Sequence, residues 1–130
     1  MATIHIHTQT SSQVVDVTHR VADVVGESDV QEGLCQVYVP HATAAIVVNE
    51  SADPEIGNDL LDLLDRLIPA GKWRHDRIDD NGAAHLKASV LGPGETVPIV
   101  NGQLALGTWQ AIMLVELDGP RDRTIRVTLV

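Results

Sequence analysis

Three of the six histidines in this 130-residue chain stand where they could do chemistry. His41 follows an apolar run, His75 lies in a long polar stretch, and His85 opens a further β-like run. Neutral imidazoles that converge can hold a divalent metal with one coordination position left open, or divide general acid and base roles between them. The spacing 41, 75, 85 matches no local metal motif, such as two histidines four apart on a helix. On spacing alone, scattered polar histidines are the simpler reading. His5 and His7 read as the solvated face of a strand, and His19 as a surface residue at a helix start.

Two carboxylates raise a second question. Glu50 ends the apolar run Ala44 to Asn49, and Glu116 lies within Trp109 to Leu117, on the strand face of Ile112 and Leu114. A carboxylate in an apolar strand finds a partner or rises in pKa. A raised pKa suits a general acid or base. A partner, Arg121 or Arg123, leaves Glu116 with a role in the fold only. Both readings stay open. Lys72, Arg74, Arg77, Lys87, Arg121 and Arg123 make six of the nine basic residues. They gather in the polar stretch, just after it, and in the turn near the C-terminus. In an acidic chain that clustering suggests an anionic small ligand. Asp76, Asp79 and Asp80 keep an ordinary solvated loop as the alternative. Cys35, in an apolar strand, reads as buried and inert. Gly92-Pro93-Gly94 is a turn without phosphate-loop spacing, and no nucleophile elbow is present.

Composition narrows the classes. With 44% hydrophobic and 21% charged residues the chain is globular rather than disordered. Its length suits one domain, residues 1–130. The net charge of −9 disfavours both nucleic acid and an anionic membrane surface. Two Trp, one Tyr and no Phe are too few rings for a single-strand stacking platform. No apolar run is long enough to span a bilayer, and Met1 to Thr10 lacks the form of a secretory signal. One cysteine excludes an internal disulfide framework. A cytoplasmic location is the resulting expectation.

The elements that must position these residues follow from periodicity. Ile4 and Ile6 alternate with His5 and His7 in a half-buried strand, which Val15 and Val17 extend or pair with. Thr18 is placed to cap a short helix with Val21, Val24 and Val25 on its apolar side. Leu34 to Val39 and Ala44 to Asn49 are strands. Asp53-Pro54 starts the clearest helix, with Ile56, Leu60, Leu63, Leu64 and Leu67 as its stripe, and Pro69 and Gly71 end it. Residues 70–84 form a long polar loop of the functional or mobile kind. His85 to Leu91, Thr96 to Val100, Trp109 to Leu117 and Thr124 to Val130 read as strands, with a hairpin turn at Asn101-Gly102. Trp109 to Leu117 is apolar on nearly both faces, so it is expected to be central or covered by another subunit. The sum is α+β: a largely antiparallel sheet or sandwich of about eight strands with two helices.

Several segments together resemble the YjbQ family, also known as secondary thiamine-phosphate synthases. They are Pro40-His41-Ala42-Thr43-Ala44-Ala45, Asn49-Glu50, Asp59, Trp73-Arg74-His75-Asp76, Asp80-Asn81, Ala84-His85-Leu86 and Gly92. Pro98, Gly102-Gln103-Leu104, Leu106-Gly107-Thr108-Trp109-Gln110, Glu116 and Asp118-Gly119-Pro120-Arg121-Asp122-Arg123 complete the set. The resemblance implies an α+β domain that assembles as a homotrimer. It also implies a site around His41, His75 and His85, either catalytic or holding a divalent metal such as zinc or magnesium. Glu50 and Asp59 would join the catalytic group, and Arg74, Asn81, Gln110 and Arg121 would bind a phosphorylated small molecule. The implied activity is a weak transfer that joins a hydroxymethylpyrimidine diphosphate to a thiazole phosphate. The alternative is a non-catalytic trimer that binds a metal or a small anion. The family usually has His-Thr-Thr where this chain has His41-Ala42-Thr43, which removes a hydroxyl beside His41.

Overall fold

The computed structural model describes residues 1–130 and contains eight strands and four helices. Strands β1 (Ala2–His7), β3 (Gly33–Tyr38), β5 (Gly94–Val100), β6 (Gln103–Leu104) and β8 (Asp122–Leu129) form one antiparallel sheet in the order β1-β8-β3-β5-β6. Strands β2 (Gln13–Asp16), β4 (Ala44–Glu50) and β7 (Gln110–Glu116) form a second, in the order β2-β7-β4. Helix α1 spans Thr18–Gly26, α2 Pro54–Leu67, α3 Asp76–Asp79 and α4 Gly82–Leu91. The α+β class and the antiparallel sheets agree with the sequence reading.

The main core lies between the two sheets. Cys35 and Val37 of β3, Ile125 and Val127 of β8, Ile99 of β5, Ile46 of β4, and Ile112 and Leu114 of β7 all face it, with Val21 and Val25 of α1. These strands alternate because successive side chains point to opposite faces, so every second residue enters the core. A smaller core forms on the far face of the three-stranded sheet. There Ala45 and Val115 meet Leu64 of α2 and Ala84 and Ala88 of α4. The result is three layers: large sheet, small sheet, helices.

This layering explains why β7 is buried on both faces. It is the central strand of its sheet, and its two sides are covered by the other sheet and by the chain's own helices. Cover from a neighbouring subunit is therefore not what its composition demands. Trp109, at its start, lies outside the strand and is 68% exposed.

Other expectations need correction. His85 lies on α4, not on a strand, and four helices form rather than two. Helix α4 hid because its buried side is Ala83, Ala84, Lys87 and Ala88, while Leu86 and Val90 face outward. Small residues and one lysine inside, with larger apolar residues outside, give almost no amphipathic signal. Residues 70–84 are not one loop, because they contain α3 and the first turn of α4. Strand β2 pairs with β7 rather than with β1. Thr18 does not cap α1: the cap position is Val17, with no side-chain bond. The Thr18 hydroxyl instead accepts the Ile112 backbone N–H at 2.8 Å, tying the helix start to β7. The α2 start is as expected, with Asp53 accepting the Glu55 N–H at 3.0 Å and Pro54 in the first turn. Only part of its stripe is buried. Leu64 faces the core with Leu60 and Leu61 against it, while Ile56, Leu63 and Leu67 stay exposed. The Asn101-Gly102 turn joins β5 to β6 with φ of 52° and 74°, as the hairpin signal requires.

Candidate functional site

The imidazoles of His75 and His85 meet edge to face, with ring centroids 4.5 Å apart and planes inclined by 70°. His75 precedes α3 as its cap residue, and His85 sits one turn into α4. The two helices are set close by Asp76. Its carboxylate accepts the Trp73 N–H at 3.0 Å and the Gly82 N–H at 2.8 Å, bridging the turn before α3 to the start of α4. These two bonds, Trp73 first, hold the Asp76 carboxyl below its ordinary value. Gly82 is required at this junction. A Cβ there would stand 2.7 Å from the Trp73 Cβ and 2.8 Å from the Asp76 carboxylate.

His75 and His85 line an open cleft of about 580 Å³ with Lys72, Trp73, Arg74, Gly82 and Leu86. Neither Lys72 nor Arg74 belongs to any ion pair of the chain. Two free cations beside two imidazoles suit an anion such as a phosphate. His75 Nε2 is buried and has no hydrogen-bond partner within the chain.

His41 is not among the residues that line this cleft; it lies on the segment after β3. The β3–β8 register ends at Tyr38 opposite Arg126. Two residues on, Pro40 would face Thr124, and a strand acceptor is lost as the chain turns away. The His41 ring replaces it: the Thr124 N–H donates to His41 Nε2 at 2.9 Å. Only an unprotonated Nε2 can accept, so the neutral ring carries its proton on Nδ1. Burial and the nearby Arg123 guanidinium lower the His41 pKa below its ordinary value.

Beside His41 lies the buried pair Glu116–Arg123. Arg123 Nε donates to Glu116 Oε1 at 2.8 Å, and its Nη2 reaches Oε2. Nη2 also donates to the Thr43 hydroxyl at 2.9 Å and the Thr43 carbonyl at 3.2 Å. The Thr8 hydroxyl donates to Glu116 Oε1, and the backbone N–H groups of Leu117 and Asp118 donate to Oε2. Burial pushes the Glu116 carboxyl up, but the Arg123, Asp118 and Thr8 hydrogen bonds outweigh it, and the pKa falls below the ordinary value. Of the two sequence readings of Glu116, the structure selects the partnered one, with Arg123.

A second polar link joins this pair to the cleft region. Asn81 Nδ2 donates to Asp118 Oδ2 at 2.8 Å, and Arg121 donates to the same carboxylate at 3.1 Å and to the Asp118 carbonyl at 2.7 Å. Arg121 is thus held by Asp118. Lys87 is likewise committed, to Asp65 of α2.

The remaining predicted site residues lie elsewhere. Glu50 faces a separate concavity with Asp16, Ser51, Asp53 and the start of α2. Asp59 is exposed on α2. Gln110 is exposed, and its side chain accepts the Gly107 N–H at 2.9 Å. No three His, Cys, Asp or Glu side chains of the chain are grouped to hold a metal ion. Sequence reasoning did not assign Asp118 or Thr43 a role. Asp118 showed only as part of a turn, and Thr43 only as a residue after His41.

The family profile described as UPF0047 protein YjbQ-like matches residues 2–130. The chain belongs to the YjbQ family. Among YjbQ relatives, a UPF0047 protein of Methanocaldococcus jannaschii is 39% identical over 125 residues, 96% of this chain and 90% of the relative. The UPF0047 protein YugU of Bacillus subtilis is 37% identical over 133 residues, 100% of this chain and 98% of the relative. A YjbQ/UPF0047 structure from Clostridium acetobutylicum, described as an uncharacterized conserved protein, superposes with a TM-score of 0.96. It is 40% identical and covered in full, as is this chain. This YjbQ chain shares the family fold throughout.

Proposed function

We propose that this YjbQ-family protein binds a phosphorylated small molecule in the cleft of Lys72, Arg74, His75 and His85 and acts on it as a transferase. The single observation that carries the reading is the pairing of two contacting imidazoles with two unpaired cations in one cleft. The reaction that fits the family resemblance joins a hydroxymethylpyrimidine diphosphate to a thiazole phosphate. As the new bond forms, pyrophosphate departs and its charge grows. Arg74 and Lys72 offset that charge, and His85 or His75 supplies or takes a proton. Asn81 and Arg121, two more of the residues named for phosphate binding, are both engaged by the Asp118 carboxylate instead. One protomer groups two imidazoles in this cleft rather than three metal ligands. The test is incubation of purified protein with both phosphates, with and without added magnesium or zinc. Thiamine phosphate should form with wild type and fall at least tenfold with His85→Ala. No product under any of these conditions ends the reading.

A second reading is a non-catalytic homotrimer that holds a small anion or a divalent cation such as zinc or magnesium. The exposed apolar residues Leu63, Leu67, Val90 and Trp109 favour assembly, since a small monomer gains little by exposing them. His41 would then meet the other imidazoles across a subunit contact. Light scattering decides the assembly, and elemental analysis of wild type beside His41→Ala and His85→Ala decides the metal. A cytoplasmic location suits both readings.

A further inference from the structure

We propose that Asp118 is the positioning residue of the cleft, coupling the buried Glu116–Arg123 pair to the histidine pair through Asn81. The inference rests on the reading of that cleft as an anion site, but its geometry does not. Asp118 touches neither His75 nor His85. Its carboxylate instead accepts the Asn81 side-chain amide at 2.8 Å, and Asn81 is the cap residue from which α4 starts. His85 lies on the first turn of that helix and hydrogen bonds back to the Asn81 carbonyl at 3.3 Å. His75 is in ring contact with His85. A displacement of Asn81 therefore moves the start of α4 and both rings with it.

The other end of the link is rigid. The Asp118 N–H donates to Glu116 Oε2 at 3.0 Å, and Glu116 is fully buried against Arg123. The turn that carries Asp118 is thus pinned to the core between the sheets. Arg123 from the same pair holds Thr43 by its hydroxyl and carbonyl, two residues after His41. One buried ion pair thereby holds the segment of His41 directly and the start of α4 at one remove, through Asp118 and Asn81. A buried pair is a poor source of stability compared with apolar packing of equal volume. The chain retains it where its hydrogen bonds fix the two segments.

Asp118 also sets which way the Asn81 amide points. A carboxylate repels the amide oxygen and accepts its NH₂, so Nδ2 must face Asp118. Asn81 Oδ1 is then turned away, buried and without a partner in the chain. The orientation is fixed by the acceptor oxygen at position 118, and Asp118→Ala removes that acceptor.

Two readouts on the full chain test this. The first is the ring ¹H–¹⁵N spectrum of His75 and His85 with no ligand present, in wild type, Asp118→Ala and Asp118→Asn. Asp118→Ala should shift both rings' signals, and Asp118→Asn, which can still accept from Asn81, should return them most of the way. Folded Asp118→Ala with both rings' signals unmoved overturns the proposal. The second is calorimetric titration with inorganic phosphate. Asp118→Ala should weaken binding about tenfold, with Asp118→Asn close to wild type. If wild type binds no phosphate, the anion reading fails and the ring signals alone decide the positioning role. If Asp118→Ala fails to fold, Asn81→Ala is read in its place: it must shift the same ring signals, and unmoved signals overturn the proposal.

Discussion

Glu116 and Arg123 face each other from β7 and β8, one on the inner side of each sheet, with both carboxylate oxygens engaged. Glu116 follows Leu114 and Ile112 on its strand, and Arg123 precedes Ile125 and Val127 on the other. The pair therefore closes one end of the core between the sheets.

Removing one partner leaves the other charged and buried. Arg123→Met is expected to cost about 3–5 kcal/mol of stability, measured by denaturant unfolding. The double variant Glu116→Leu with Arg123→Met should recover part of that loss. A double variant at least as unstable as the single one would show that the pair's own attraction dominates.

The pair also shapes the acid response. The Glu116 carboxyl is lowered in the folded state relative to its ordinary 4.5. Its contribution is therefore complete above that value and is lost as pH falls from there through the folded-state pKa. Wild type should lose stability on acidification below pH about 4.5, and Glu116→Gln should show a shallower slope there. Unfolding midpoints taken through that range check the sign.

Gly82→Ala should destabilise the protein although alanine favours helices. The new methyl collides with Trp73 and with the Asp76 carboxylate. A loss of about 1–3 kcal/mol is expected from overpacking. A thermal melt at or above wild type would show that the α3–α4 junction yields without cost.

Asp53 caps α2 through the Glu55 N–H. Asp53→Ala should cost about 1 kcal/mol, while Asp53→Ser should stay near wild type. Chemical denaturation of the three proteins side by side separates these outcomes.

Cys35 lies fully buried in β3, and burial pushes its thiol up to about 11. It should resist an aromatic disulfide reagent in native buffer and react at once in denaturant. Fast labelling of the folded protein would place the thiol at the surface.

Short-range signals in the chain settled much of this structure. Alternation in β1, β3 and β8 named the inward residues, because a strand's period of two needs no distant information. Asp53-Pro54 fixed the start of α2, and Asn101-Gly102 fixed the hairpin, since both are local backbone requirements. The Pro40-His41, Trp73 to Asp76 and Ala84-His85 segments marked the residues of interest, and the resemblance tied them to one family. What the chain did not disclose was set by contacts across long separations. Helix α4 is a helix because its small side lies on the second sheet, and Lys87 is buried because Asp65 of α2 meets it. β7 is covered twice because three layers form around it. His75 joins His85 through the bridge of Asp76, whereas the His41 ring accepts the Thr124 N–H at the end of the β3–β8 pairing. Residue type and spacing can nominate imidazoles, but the directions of their rings follow from which backbone groups the fold leaves without partners.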